Sequence, residues 1–312
     1  MNLEPRNIKK VIRENQNSYS RHHFLLISEI LYNFQNSLLR DMDAFLLLVF
    51  ISKKALENYH TLNKDISKDE LLNLESINAG LITIDNLSKS LNLPRETARR
   101  KYNKLINLKL ISKNKKNTFL ENKAIQIQQV DKFHLKFLKC LNLVITKILE
   151  NPDVKIKSIS LVNLNKKYSK SWLQLLTMVL NSALAWKKHI GSMQNWFIFG
   201  VCALNQIYNI KEYKNFFKNL PDNPDNLFLN LTQEQALRGL NPNTLSEITG
   251  IPRQTVTRNL VELVKLNFIT KDPKKNLYFI SRKTLNQKSL ATHYESIHDI
   301  ISKCIFGCIV LI

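Results

Sequence analysis

A mainly α fold, repeated within one chain, is what the sequence predicts, and three observations carry it. Apolar residues make up 44% of the 312 positions, while Gly and Pro number 6 and 8, too few turn-formers for a loop-rich all-β fold. Apolar side chains recur at helical spacing, as in Phe24, Leu25, Ile27, Ile30, Leu31, Phe34 and Leu38, the pattern of a helix face turned to a core. Residues 93–120, LPRETARRKYNKLINLKLISKNKKNTFL, match residues 250–280, GIPRQTVTRNLVELVKLNFITKDPKKNLYFI, at a constant offset of 158 (252 − 94 for the prolines) through the whole first helix. Identical pairs include Leu87/Leu245, Ser88/Ser246, Pro94/Pro252, Arg95/Arg253, Thr97/Thr255, Arg100/Arg258, Leu105/Leu263 and Ile111/Ile269.

Taken in order, residues 1–20 are polar and predict a short leading helix or arm. Two apolar helices follow, from Arg21 and from Asp43, meeting near residues 40–43; their wide apolar faces imply burial between other helices. Residues 68–78 predict a helix ending at Gly80, a residue suited to a left-handed C-terminal cap. Thr83 or Asp85 is placed to cap a short helix over 86–91, Asn92 and Leu93 make a turn, and Pro94 opens a second helix running to about Leu108. Within that second helix Ala98, Tyr102, Leu105 and Leu108 share one face, which leaves Arg95, Glu96, Arg99 and Lys104 to point outward. Residues 110–112 and 118–121 then read as two strands joined by a cationic turn over 113–117. A long amphipathic helix over 126–150 ends at Asn151 and Pro152.

Residues 153–171, rich in Lys, predict a connection, with an alternating patch at 154–164 that reads as strand or helix. The second half repeats the plan. Helices are expected over 172–189 and 195–217, a turn-rich break over 221–225, and a short helix over 232–239. Asn243 or Thr244 caps residues 245–249, Gly250 turns the chain and Pro252 opens the next helix. Strands at 268–270 and 277–281 flank residues 272–276, and a last helix runs from about Leu285. His134 with Lys139 and Cys140 is echoed by His298 with Lys303 and Cys304. The expected domains are therefore 1–152 and 153–312, each a helix pair, a winged helix-turn-helix (about 80–121 and about 239–281) and a closing helix. The two halves are expected to form a single-chain pseudo-dimer.

At PRETARR and PRQTVTR the chain resembles winged helix-turn-helix regulators of the cyclic-AMP receptor protein and fumarate-nitrate regulator type, over about 40 residues in each half. The resemblance implies DNA-facing roles for Arg95, Glu96 and Arg100 in the first copy and for Arg253, Gln254 and Arg258 in the second. The chain departs from that family in having no β-rich cyclic-nucleotide module and no N-terminal cysteine cluster. Its order of elements, with helices before and a long helix after the wing, is similar to the multiple-antibiotic-resistance regulator layout, where flanking helices form the dimer interface.

Side-chain chemistry points the same way. A helix entering the major groove by its N-terminal turn presents Arg95 or Arg253 where a guanidinium pairs bidentately with guanine O6 and N7. Glu96 accepts from cytosine N4, whereas Gln254 fits adenine N6 and N7, so the two copies are expected to read different half-sites. Lys113, Lys115 and Lys116 in one wing, Lys271, Lys274 and Lys275 in the other, and Arg99 and Lys104 are expected to meet phosphate, which needs charge and not a particular base. Thr97 and Thr255 either contact phosphate or stabilise the turn.

The balance of 46 Lys and Arg against 25 Asp and Glu leaves a formal charge of +21, which makes an anionic partner, double-stranded DNA, the leading class. Codon bias toward Lys, Asn and Ile is the rival source of that charge; the clustering on the two second helices and wings favours function. Cys140, Cys202, Cys304 and Cys308 have neither zinc nor disulfide-framework spacing, so buried reduced thiols are expected. The polar N-terminus lacks the apolar core of a signal peptide, and the apolar stretches 44–51, 196–204 and 304–312 are too short to span a bilayer. A cytoplasmic protein without membrane association, cofactor or metal is expected, and no motif specifies a small-molecule effector. The seven histidines form no HExxH pair or triad context, and no glycine-rich phosphate loop is present, so an enzyme is not expected. Trp172, Trp186 and Trp196 fall in apolar helical patterns and are expected in the core. Rival functions are a plasmid-type replication initiator, some of which carry tandem winged helices, and a winged-helix scaffold that binds protein.

Overall fold

The computed structural model describes residues 4–14, 26, 30, 39, 41–62, 65–128, 130–150, 167–211, 239–281 and 288–311, and is mainly helical. The chain divides into two compact units. One comprises Met1–Lys9, Ser37–Leu184 and Asp299–Ile312, the other Lys10–Asn36 and Ala185–His298. Each unit thus draws on separated stretches of chain, and the boundary expected between residues 152 and 153 lies outside the described residues. Nearly all of the helix expected from Arg21, the patch at 154–164, the break at 221–225 and nearly all of the helix expected at 232–239 lie outside the described residues.

After the leading helix α1 (Pro5–Glu14), the first unit is built on α2 (Met42–Leu62). Ala44, Phe45, Leu46, Leu47, Leu48, Val49 and Phe50 are consecutive and all buried, so this part of α2 meets protein on every side. Among the described residues no helix is long and apolar enough to cross a membrane. Ser67 opens α3 (Lys68–Asn73) with a reciprocal capping box to Glu70. The helix expected to reach Asn78 stops five residues earlier, because Asn122 Nδ2 takes the carbonyls of Leu72 and Leu74 at 2.7 and 2.8 Å. The chain then becomes β1 (Ser76–Asn78), whose Ile77 pairs with Leu120.

Next come α4 (Ile84–Leu91), α5 (Arg95–Asn107), β2 (Ile111–Lys113) and β3 (Thr118–Glu121). The strands are antiparallel in the order β1-β3-β2, and Ile111 and Leu120 are opposed and buried. Both α4 and α2 pack on α5. The single long helix expected over 126–150 is instead α6 (Asn122–Ile127) and α7 (Val130–Leu149). Gln128 caps α6, and its Nε2 donates to Ser52 Oγ at 2.7 Å in a buried site, a bond that outweighs continuing the helix. On α7, Phe133, Phe137, Leu141, Val144, Ile145 and Ile148 form the buried stripe. His134, also buried, lies 2.6 Å from Ser171 Oγ on α8 (Tyr168–Ile190).

The second unit centres on α9 (Met193–Lys211), where Trp196, Phe197, Ile198 and Phe199 are consecutive and buried. It packs on α10 (Pro242–Thr249) and α11 (Arg253–Lys265), which lead to the antiparallel pair β4 (Ile269–Asp272) and β5 (Leu277–Ile280). The last helix, α12 (Lys288–Val310), contributes its part up to His298 to this unit. Cys202, Cys304 and Cys308 are free, buried thiols, and Trp172, Trp186 and Trp196 are core residues.

An aromatic cluster lies within the second unit. The rings of His189 and His293 stack 4.6 Å apart and 3° from parallel, with Trp186 4.2 Å from His293 and Phe268 5.3 Å from His189. Burial lowers the pKa of His189, and burial together with His189 holds His293 down at about 4. The folded state therefore keeps His293 neutral where the unfolded chain, titrating near 6.5, takes up a proton. Stability from keeping His293 neutral is complete above pH 6.5 and is lost as pH falls from 6.5 to about 4. Denaturant unfolding across that range should show a loss on the order of 1–3 kcal/mol, and His293→Phe should flatten the dependence. An unchanged slope in the variant would assign it elsewhere.

Candidate nucleic-acid interface

The exposed faces of α5 and α11 are set by matching local geometry, position by position. Thr83 Oγ1 caps α4 by accepting from Asn86 N–H at 3.1 Å; Asn241 Oδ1 caps α10 by accepting from Thr244 N–H at 2.9 Å. At the turn, Asn92 has φ 48° and Gly250 φ 65°, the left-handed conformation that Asn tolerates and Gly adopts freely. Ser88 Oγ then donates to Leu93 carbonyl at 2.6 Å, and Ser246 Oγ to Ile251 carbonyl at 2.7 Å. Pro94 and Pro252 share φ near −54° and −53° and start helices of 13 residues each. Both helices end alike: Lys109 and Asn267 turn left-handed at φ 55° and 61°, and the N–H groups of Leu110 and Phe268 return to the carbonyls of Leu105 and Leu263 at 3.0 and 2.9 Å.

The hairpins continue the correspondence with two residues added in the second, since Ile111↔Leu120 becomes Ile269↔Ile280. Their turns are locked by one side chain each. Asn114 Oδ1 accepts from the N–H groups of Lys116 and Asn117 at 2.9 and 2.7 Å, and Asp272 Oδ1 from those of Lys274 and Lys275 at 2.9 and 3.2 Å. Lys113, Lys115, Lys116, Lys271, Lys274 and Lys275 are all exposed. Lys271 Nζ lies 5.7 Å from the Tyr278 ring centre. No known family, curated protein or solved structure matches this chain.

The two helices differ in how their charges are used. On α11, Arg253, Gln254 and Arg258 are exposed, and neither arginine makes an ion pair among the described residues. On α5, Arg95 Nε donates to Asp85 at 2.7 Å, and Arg99 grips both oxygens of Glu96 at 3.0 and 2.8 Å. That bond, with the charges of Arg100 and Arg95, holds the Glu96 carboxyl below its usual range. Arg100 is exposed, and with Glu96, Arg99 and Asn103 it lines an open concavity of about 450 Å³. Thr97 and Thr255 are half-buried, and neither helix has a side-chain cap bond.

Lys104 does not point outward as the helical pattern suggests. Its ammonium donates to the Leu39 carbonyl and lies 3.4 Å from Asp41, while Lys101 on the same helix pairs with Asp41. The two lysines fasten α5 to the start of α2. At the position matching Lys101, Asn259 donates to Gln194 at 3.3 Å, so the second unit makes the same tie without charge. Sequence patterning missed Asp41 and Asp85 as partners. Asp85 is the one carboxylate on α4, which is the signal that marks it.

Burial raises the pKa of Asp41, but hydrogen bonds from Lys101 and the Ala44 N–H, with the charges of Lys101 and Lys104, outweigh that and leave it below 3.8. Its stabilisation is therefore complete above pH 3.8 and is lost as pH falls through the lowered folded value. Asp41→Ala should cost about 1–3 kcal/mol in denaturant unfolding at neutral pH. The gap between wild type and variant should narrow below the carboxylate range; a gap of constant size would exclude the charge as its cause.

Proposed function

We propose that the chain is a cytoplasmic, sequence-specific double-stranded DNA-binding transcription regulator, with two tandem winged helix-turn-helix domains serving as a single-chain pseudo-dimer. The observation that carries this reading is the repeated construction of α4-α5-β2-β3 and α10-α11-β4-β5. Both second helices are fixed by the same turn, serine bond and left-handed terminus, and both expose an arginine-led first turn beside a lysine hairpin. A helix of this kind fits a major groove about 12 Å wide, and its first turn meets base edges there. The hairpin lysines meet phosphates and displace counterions, which adds affinity without sequence preference.

The reading assigns base contacts to Arg253, Gln254 and Arg258 and to Arg95 and Arg100, and phosphate contacts to the wing lysines. Because Gln254 and Glu96 differ, and because only Glu96 is tied to a neighbouring arginine, two unequal half-sites are expected. Selection of bound sequences from a random duplex library tests this directly: a bipartite, non-palindromic site at promoters supports the regulator. Repeated copies of the site at a replication origin would assign the same helices to an initiator. An unselective pool would leave a protein-binding scaffold.

Arg253→Ala should cost about 1–3 kcal/mol at the selected site and relax base preference at one position. Lys274→Ala should weaken selected and random duplexes alike and lower the salt slope by about one unit. Equal losses on both duplexes for Arg253→Ala would overturn its base-reading role.

A further inference from the structure

We infer that Asp85 is a positioning residue that presents Arg95 end-on to a guanine, so the first unit reads that base through a preset arginine, while the second unit uses Arg253, which makes no ion pair among the described residues. This rests on the DNA-reading proposal above. Arg95 Nε donates to Asp85 Oδ1 at 2.7 Å, and the two side chains are 76% and 63% exposed. A guanidinium carries five N–H groups. Fixing the Nε–H from the side leaves the four on Nη1 and Nη2 at the tip, and that edge matches the O6 and N7 acceptors of guanine.

The carboxylate is itself held in place. Asp85 sits in the first turn of α4, whose start is fixed by the Thr83 cap and whose N-terminal dipole favours a negative charge. The turn at Asn92 and the Ser88 bond to Leu93 then set the start of α5 against α4, so the ten-residue span from Asp85 to Arg95 is rigid at both ends. An ion pair this exposed adds little to folding, which separates positioning from stability. At the matching place in the second unit stands Asn243, whose backbone N–H bonds to Asn241. It carries no charge, and Arg253 makes no ion pair among the described residues.

Two effects of opposite sign follow. Removing Asp85 frees the Arg95 side chain, which must then be ordered on binding. It also removes a negative charge beside the phosphates, which favours every sequence equally. With the full chain and its selected site, the base pair read by Arg95 is identified as the one whose preference Arg95→Ala abolishes. Asp85→Ala should reduce discrimination at that pair by about two- to tenfold, the factor for ordering one long side chain, while binding random duplex more tightly. Asp85→Asn retains an oxygen acceptor for Nε–H and should keep more of the discrimination. Asn243→Asp should sharpen the preference at the base read by Arg253. Thermal unfolding should be close to unchanged in all three.

A preference that Arg95→Ala removes and Asp85→Ala leaves intact would overturn this inference alone. So would additive effects of Asp85→Ala and Arg95→Ala on discrimination in a double-mutant cycle. A wild-type profile flat at every position would overturn the DNA-reading proposal itself.

Discussion

The turn between α4 and α5, and its counterpart between α10 and α11, is the constraint on which the rest depends. One residue must enter the left-handed region, and the next carbonyl must be taken up by a serine hydroxyl one turn back. Both conditions are met by different residues at the first point, Asn92 and Gly250, and by the same residue type at the second. With the entry direction fixed, the buried positions follow. Ala98, Tyr102 and Leu105 on α5, and Val256, Leu260 and Leu263 on α11, turn inward, and the arginines at the helix starts are left outside. A helix cannot rotate about its axis once such a stripe is packed, since every apolar side chain would leave the core together.

Much of this was readable from residues alone. Pro94, Pro252, the apolar spacing behind them and the lysine-rich turns locate the helices and strands to within a few positions. Local chemistry with a fixed spacing carries those elements. The misses share a different cause. The early end of α3 and the break between α6 and α7 are made by side chains distant in sequence, Asn122 against Leu72 and Leu74, and Gln128 against Ser52. No periodicity announces a partner 50 or 76 residues away. Lys104 fails for the same reason. Its position on the helix wheel is polar, and only the distant Leu39 and Asp41 turn it into a fastening.

The candidate site shows the same division between what spacing reveals and what pairing adds. Composition gives a net charge of +21, yet charge total does not say which cations are free to meet an anion. On α5 four basic side chains, Arg95, Arg99, Lys101 and Lys104, are engaged by Asp85, Glu96 and Asp41. On α11 the corresponding face lacks those carboxylates, and the tie to the preceding helix is made by two amides, Asn259 and Gln194. Repeated geometry thus carries unequal electrostatics.

That inequality has a direction. A tie made by amides is indifferent to salt, whereas surface ion pairs are screened within a Debye length of about 8 Å at physiological ionic strength. On the DNA-reading proposal, phosphates approaching α5 compete with Glu96 for Arg99, while Asp85 keeps its bond to the Arg95 Nε–H and leaves the guanidinium tip to a base. On α11 neither Arg253 nor Arg258 makes an ion pair among the described residues, so on the same proposal contact there breaks no such pair. Exchange of like for like yields little net affinity, since an incoming phosphate must fit Arg99 better than the resident carboxylate does in order to displace it. On the DNA-reading proposal these grounds assign strength of association to the second helix and discrimination to the first, a division of roles that two identical copies cannot have.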